Sequence, residues 1–434
     1  DGLVLARELF LDNIDVSLWC PLPVKKELTL KHLSYCNSIG IRELKSAPDV
    51  LSNALWIESV FGVGQTRELS QELALLFKNR EKFKPGRLVS LDVPAGICSD
   101  TGKKFATGAA KASFTLSVGL LKTGLLQDIA LPYVGDVKRI DLGIPEIVLK
   151  SLPEAVPLTI SAKDIYSSEF PATLSNASKY QRGRVLFIGG SQKYKGASLL
   201  VLEGLRASGA GIVQAVLPPS VSSSLWKEVP EVVFHDHANN LENQEIKINQ
   251  ALSKIRLDRF ESLVIGPGLG IGEENWEDCA CELEGFLGLL VLDADALNRI
   301  SLSGEGWKWL RKRQGSTWIT PHMSEFCRLF PNVDTACPIK AASSAACMSG
   351  VSVLLKGAHS VIAAPNGSVL QLVDTSTFSA RGGLGDVLAG FAGGIGALGI
   401  SSAKEEIDLE LFALAVLLHA HAASFCKEGT NASF

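Results

Sequence analysis

The sequence lacks what a disulfide framework, a zinc ribbon or a membrane span would need. Its nine cysteines, at 20, 36, 98, 279, 281, 327, 337, 347 and 426, are odd in number and include no Cys-x-x-Cys pair. That pattern favours reduced thiols in a cytoplasmic setting. Charge of one sign is also missing. Forty-two basic against 46 acidic residues leave a net charge of -4, too mild to draw in nucleic acid or an anionic membrane, and neither is expected as a partner. No hydrophobic run qualifies as a span. Leu411–Ala423 has 13 residues and includes His419 and His421, short of the roughly 20 that a bilayer core needs. Gly382–Ile400 is long enough, but Arg381 precedes it, Asp386 lies inside it and eight of its residues are glycine. No segment reads as a signal peptide. The chain opens on Asp1, with DGLVLARELF reading as a helix already under way, so a fragment without its N-terminal segment is expected.

What is there is an ordinary globular balance, 46% hydrophobic and 20% charged over 434 residues, which excludes bulk disorder and a collagen-like fibre. That length suits two or three domains. From residue 1 to about 150, helical and strand periods alternate. Helices are expected over Leu3–Leu11, Leu28–Ile39 and Glu68–Lys78. Strands are expected at Val16–Cys20, Ala54–Val60, Arg87–Val93, Ala109–Val118 and Val137–Leu142. Such alternation with short connections implies a Rossmann-like, doubly wound parallel sheet. Ser151–Thr159, with two prolines and no periodicity, reads as a linker. A second, larger α/β unit spans 161–434, with strand candidates at 184–190, 211–218, 262–268, 289–295, 317–321, 351–357 and 360–365.

The sharpest motif is Ala380–Gly390, ARGGLGDVLAG. Gly382, Gly383 and Gly385 allow a tight turn whose N–H groups converge, and the following helix adds the positive end of its dipole, which together make an anion hole. Asp386 then stands beside a bound phosphate, where a carboxylate can take the proton from an attacking hydroxyl. The plainer reading is an N-cap aspartate on a buried helix. Gly189–Gly196 (GGSQKYKG) is a strand-to-helix turn that lacks the closing Gly-Lys-Ser/Thr of a Walker loop. Ile265–Gly272 (IGPGLGIG) is a second glycine-rich strand end. In VLDADALN, Asp293 and Asp295 fall at the carboxyl end of a strand, where ligands bind in α/β folds; alternation would turn both to one pocket, unless they only cap a helix. His322 and Glu325 in TPHMSEF lie three apart and face together if the segment is helical. Lys356-Gly357-Ala358-His359-Ser360 could hold a phosphate through backbone N–H groups and the ammonium, or be a simple turn. In the first unit, Asp92 ends a strand before Pro-Ala-Gly, as a crevice acid or base or as a turn cap. FGVG (61–64) offers a flexible, backbone-rich edge. His419 and His421, two apart, read as core or surface residues.

In this order the motifs resemble the bifunctional NAD(P)H-hydrate repair enzymes, an epimerase domain followed by a ribokinase-like, ADP-dependent dehydratase. In the second unit the resemblance rests on GRVLFIGGS, GASLL with SGAGIV, GPGLG, LDADALN, TPHMSE, LLKG and GGLGDVLAG. In the first it rests on DGLVLAR, SVFGVG, LDVPAG, SDTG and DLGIP.

The resemblance implies repair of NADHX and NADPHX, the hydrates of the reduced nicotinamide ring. The first domain equilibrates the epimers. The second phosphorylates the ring hydroxyl of the S form with ADP, and loss of phosphate restores NAD(P)H with AMP released. It further implies Asp386 as the base, with Gly383 and Gly385 in the anion hole. Ala197, Gly268 and His322 fall at the hydrate, and Lys356 through Ser360 with Gly385 at AMP. In the first domain it implies Gly62, Gly64 and Asp92 at substrate, with Asp92 catalytic. It implies Mg2+ with the nucleotide, K+ near Glu58, and a homo-oligomer.

Four departures stand out: Leu384 replaces the hydroxyl residue of the family's Gly-Gly-Thr/Ser-Gly-Asp, His-Met-Ser-Glu replaces His-Pro-Gly-Glu, Glu58 replaces an aspartate and Ala95 a serine. Two other readings remain open, a ribokinase-like kinase of a small vitamin-precursor alcohol and a non-catalytic nucleotide-binding protein.

Overall fold

Alternating apolar strands and amphipathic helices pack here as two units, Asp1–Leu152 and Pro153–Phe434, each with its own core. The structure is a computed structural model that describes residues 1–153, 156–166, 176–235, 246–271, 274–374, 381–402 and 409–425. Ala380 and Gly272, at the ends of two motifs above, lie outside the described residues.

In the first unit, β1 (Ser17–Leu18) and β2 (Arg42–Glu43) form a short parallel pair. A separate parallel sheet runs in the order β3 (Trp56–Glu58), β4 (Leu88–Leu91), β5 (Phe114–Val118), β6 (Asp136–Ile140). The Gln71–Phe83 helix starts at Ser70, whose hydroxyl accepts from Leu73 N–H, and it buries Leu73, Ala74 and Phe77 against Leu88, Ala95 and Ala110. That leaves the carboxyl ends of β3, β4 and β5 side by side, where Glu58, Asp92 and the 119–122 turn meet.

The second unit is built on one ten-stranded sheet. Its strands are β7 (Leu158–Ile160), β8 (Arg184–Ile188), β9 (Ile212–Val216), β10 (Val233–His235), β11 (Ser262–Ile265), β12 (Leu289–Leu292), β13 (Thr317–Ile319), β14 (Ser352–Leu355), β15 (Val361–Ala363) and β16 (Val369–Leu372). The order is β10-β9-β8-β11-β12-β13-β14-β15-β16-β7, and only β15 runs antiparallel to its neighbours. Buried on both faces, the central strands are almost wholly apolar, as parallel strands must be. The order reverses between β8 and β11, so the crevice outside their carboxyl ends is a topological switch point.

Three strands of this unit escape the sequence reading, as does the two-residue β2 of the first. β7 lies in the stretch that reads as a linker, β10 is a three-residue edge, and β16 follows the Asn366-Gly367 turn that makes a hairpin with β15. At three or four residues each, none carries enough alternation to register as a strand.

The Leu384–Ser401 helix is apolar and long enough to cross a membrane, but 72% of it is buried inside this unit. Its glycines have a packing reason. A Cβ on Gly390 would run into the Val201 carbonyl, and one on Gly204 into that of Val387. The two helices Lys195–Ala207 and Leu384–Ser401 therefore touch backbone to backbone. Stacking of Trp318 on Phe412, 4.4 Å between ring centroids, ties the Leu409–Ser424 helix to the same core.

Candidate functional site

The residues that follow β12, β13 and β14 meet at one point because parallel pairing puts these strand ends in register, with Leu292 opposite Ile319 and Ile319 opposite Val353. Asp293 is 1% exposed, and its Oδ1 accepts from the Thr320 hydroxyl at 2.8 Å and from the Lys356 ammonium at 2.8 Å. Lys356 is fixed at its backbone, where its N–H donates to the Pro321 carbonyl and it forms a bridge with His322. Its ammonium stands 3.4 Å from where a Cβ on Gly385 would lie, beside the first turn of the Leu384–Ser401 helix.

Gly383 is the N-cap of that helix, with φ at +90°, a left-handed conformation that glycine adopts without a Cβ penalty. Asp386 follows in the first turn. Burial foremost, then the Asp293 carboxylate, raise its carboxyl to about 7, against the pull of Lys356; Asp295 and Glu325 add to the rise. The Lys356 ammonium is also raised, since Asp293 and Glu325 outweigh the burial that opposes its charge.

His322 caps the Met323–Leu329 helix. Its Nδ1 accepts from the Ser324 and Glu325 N–H groups, and Glu325 answers by accepting from the His322 N–H at 2.9 Å. An accepting Nδ1 puts the neutral ring's proton on Nε2, 3.3 Å from Glu325 Oε1. Gly268 and Ala197 are also neighbours, 2.9 Å from the Ala197 Cβ to a Cβ built on Gly268, where the β11 turn meets the Lys195–Ala207 helix. Close by, the Ser191 and Ser198 hydroxyls are buried without a hydrogen-bond partner.

Two expectations change in detail. Asp295 is the first residue of a helix, so strand alternation stops before it. It accepts from Gly270 N–H at 2.8 Å and from Asn298, while Asp293 faces Lys356. In the 356–360 turn between β14 and β15, Gly357 and Ala358 are exposed and Ser360 Oγ bonds to Gly357 O. The His359 ring is buried, with Nδ1 bonded to the Leu372 carbonyl at 3.0 Å.

In the first unit, Asp92 has φ at +71°, rare for a residue with a side chain and typical of functional turns. Its carboxylate pairs with Lys122 and accepts from Val118 N–H, and a Cβ on Gly62 would lie 3.1 Å from Asp92 Oδ2. A Cβ on Gly64 would meet nothing within 4 Å. Glu58 is buried, and its oxygens accept from Ser90 Oγ (2.6 Å), Ala95 N–H (2.9 Å) and Val60 N–H (3.3 Å); burial raises its carboxyl to about 7. Ala95 brings no hydroxyl, and the Glu58 oxygens already accept from three protein donors. This donor set does not fit a potassium ion.

Lys122 and Thr320 are missing from the sequence reading, and His419 enters it only as a core or surface residue. The first two sit at the end of the strand next to the one carrying their aspartate, which strand order alone would have pointed to. His419 Nε2 is 3.0 Å from the Leu384 carbonyl, and burial lowers the ring to about 4, so it is a neutral donor to the start of the Leu384–Ser401 helix.

A family model described as NAD(P)H-hydrate dehydratase matches residues 185–432, and one described as YjeF-related protein N-terminus matches 1–124. The bifunctional NAD(P)H-hydrate repair enzyme Nnr of Synechocystis is 36% identical over 400 residues, covering 91% of this chain and 74% of that protein. Its namesake in Gloeobacter violaceus is 36% identical over 403 residues, covering 91% and 77%. Among solved structures, the ADP/ATP-dependent NAD(P)H-hydrate dehydratase of Bacillus subtilis matches with a TM-score of 0.52 at 24% identity, over 64% of this chain and 92% of that one, which shows a shared ribokinase-like fold. With a family model over more than half of its length and relatives this similar across both units, the chain belongs to the bifunctional NAD(P)H-hydrate repair enzymes.

Proposed function

We propose that the second unit removes water from S-NADHX and S-NADPHX using ADP, and that the first unit interconverts the R and S epimers so that both are repaired. The observation that carries this reading is Asp386: a carboxyl raised to about 7, in the first turn of a glycine-capped helix, with the Lys356 ammonium close by. A base poised near neutrality takes the proton from the ring hydroxyl as its oxygen attacks the terminal phosphorus of ADP. The bond to the AMP oxygen breaks and AMP leaves. The ring then expels phosphate with loss of a ring proton, restoring the double bond; phosphate is a far better leaving group than hydroxide.

Lys356 and the N–H groups around Gly383 and Gly385 bind and orient the phosphates, with the 357–360 turn beside them. Ala197, Gly268 and His322 form the wall at the hydrate. Asp92, held by Lys122 and with Gly62 against its Oδ2, is the acid-base group for epimerisation, and Gly64 contributes open backbone on the same loop. One or two of the carboxylates near Lys356 would hold a Mg2+ ion brought in with the nucleotide, and it would supply charge neutralisation there. No step is assigned to potassium. The unpaired cysteines among the described residues suit a reducing cytoplasm, and a homo-oligomer of the chain is the expected assembly.

The test is product analysis with hydrated NADH or NADPH and either ADP or ATP. Equal yields of AMP, phosphate and reduced nucleotide from ADP support the reading. Phosphorylation of a thiazole alcohol without repair would favour the kinase, and nucleotide binding without either reaction a non-catalytic role.

A further inference from the structure

Three carboxylates from different elements act on the Lys356 ammonium: Asp293 past β12, Glu325 on the helix after β13, and Asp386 on the Leu384–Ser401 helix. Among the described residues only Asp293 is in an ion pair with it, at 2.8 Å. The choice is not left to chance. Asp293 is nearly fully buried and its Oδ1 is fixed from the other side by the Thr320 hydroxyl, itself 0% exposed. The lysine side chain leaves the end of β14 and crosses the end of β13 to reach β12, so one of its three N–H donors is committed sideways. An untethered ammonium in this place has another partner available, the carboxylate that must act as base. Pairing with it would occupy the phosphate ligand and hold down the proton affinity of the base at once.

We infer that Asp293, locked by Thr320, is a positioning residue that holds the Lys356 ammonium away from Asp386, so that the lysine faces the nucleotide phosphate and the aspartate stays a competent base. The inference rests on the dehydratase reading above. It assigns to Asp293 no contact with the reacting atoms; its effect passes through Lys356. The motif LDADALN thereby gains separate duties, with Asp293 turned to the lysine and Asp295 to the Gly270 N–H.

The experiment compares the full chain with Asp293→Asn and Thr320→Val, measuring kcat and both KM values against pH with ADP and hydrated NADH. Asp293→Asn should lower kcat about 10²-fold, the cost of a small misplacement in a reacting constellation. The KM for ADP should rise while that for the hydrate holds. The acid limb of the pH profile should move down by about one unit or more, because Asp386 both loses the Asp293 charge that raises it and gains the ammonium as a partner; Thr320→Val keeps that charge and isolates the second effect. Thr320→Val should shift the same quantities in the same direction by less, and it decides the matter if Asp293→Asn does not fold. A variant with a lower Tm but unchanged KM for ADP and an unmoved pH profile would overturn the inference and leave Asp293 a structural residue. Should the wild-type chain fail to repair any hydrate, the dehydratase reading falls separately. Calorimetry with ADP then decides the tether: a loss of affinity of about tenfold in Asp293→Asn supports it, and equal affinity refutes it.

Discussion

Asp386→Asn separates function from stability. The wild-type carboxyl has an ordinary value of 3.8 and is raised to about 7 in the fold. A raised acid favours the folded state when protonated. That stability is fully present below about 4 and is lost as pH rises through about 7. The shift of roughly three units corresponds to ~4 kcal/mol at 1.36 kcal/mol per unit. Asp386 is partly exposed, so solvent screening brings this to ~2 kcal/mol. Asparagine carries no such cost. Thermal melts should therefore show the two proteins nearly equal at or below pH 4, drawing apart between pH 4 and 7, and the variant higher at pH 8, by about 4 °C for the transition of a unit this large. Turnover should fall about 10²- to 10⁴-fold at every pH, the span expected for a missing general base. A variant less stable at pH 8, or one turning over normally, would refute the claim that a strained base sits at the helix N-terminus.

Gly383→Ala places a Cβ at φ +90° and into Leu200, so it should weaken ADP binding at least about tenfold and cost ~1–2 kcal/mol; calorimetry and a melt read both. Asp92→Asn should stop epimerisation and spare dehydration: with mixed epimers and ADP, recovery should halt at the S fraction, and full recovery would remove Asp92 from the reaction. Exchanging potassium for sodium should leave the melt of the first unit in place. A saturable rise in Tm with potassium would show that the Glu58 carboxylate takes the ion after all.

The α/β class and the apolar strands of the second unit were legible because buried parallel strands write continuous runs bounded by glycine and proline. Short edge strands such as β10 were not, since three residues carry too little pattern. At the candidate site, motifs pointed to Asp386 and Gly383, beside glycines at the start of a helix, and to Lys356, beside a glycine at a strand end. Partnerships were less visible. That Thr320 locks Asp293, that Lys122 pairs with Asp92 and that His419 reaches the Leu384 carbonyl all depend on which strands and helices become neighbours. Asp295 shows the converse error: a period-two argument fails one residue after the strand turns into a helix.

The most direct test of the account follows the reduced-nicotinamide absorbance when purified protein meets S-NADHX with ADP in a single turnover. The account predicts full recovery with one AMP per hydrate repaired, an acid limb near pH 7 from Asp386, and loss of the signal in Asp386→Asn. Absorbance that never returns with ADP or ATP would contradict it, as would recovery that survives the loss of Asp386.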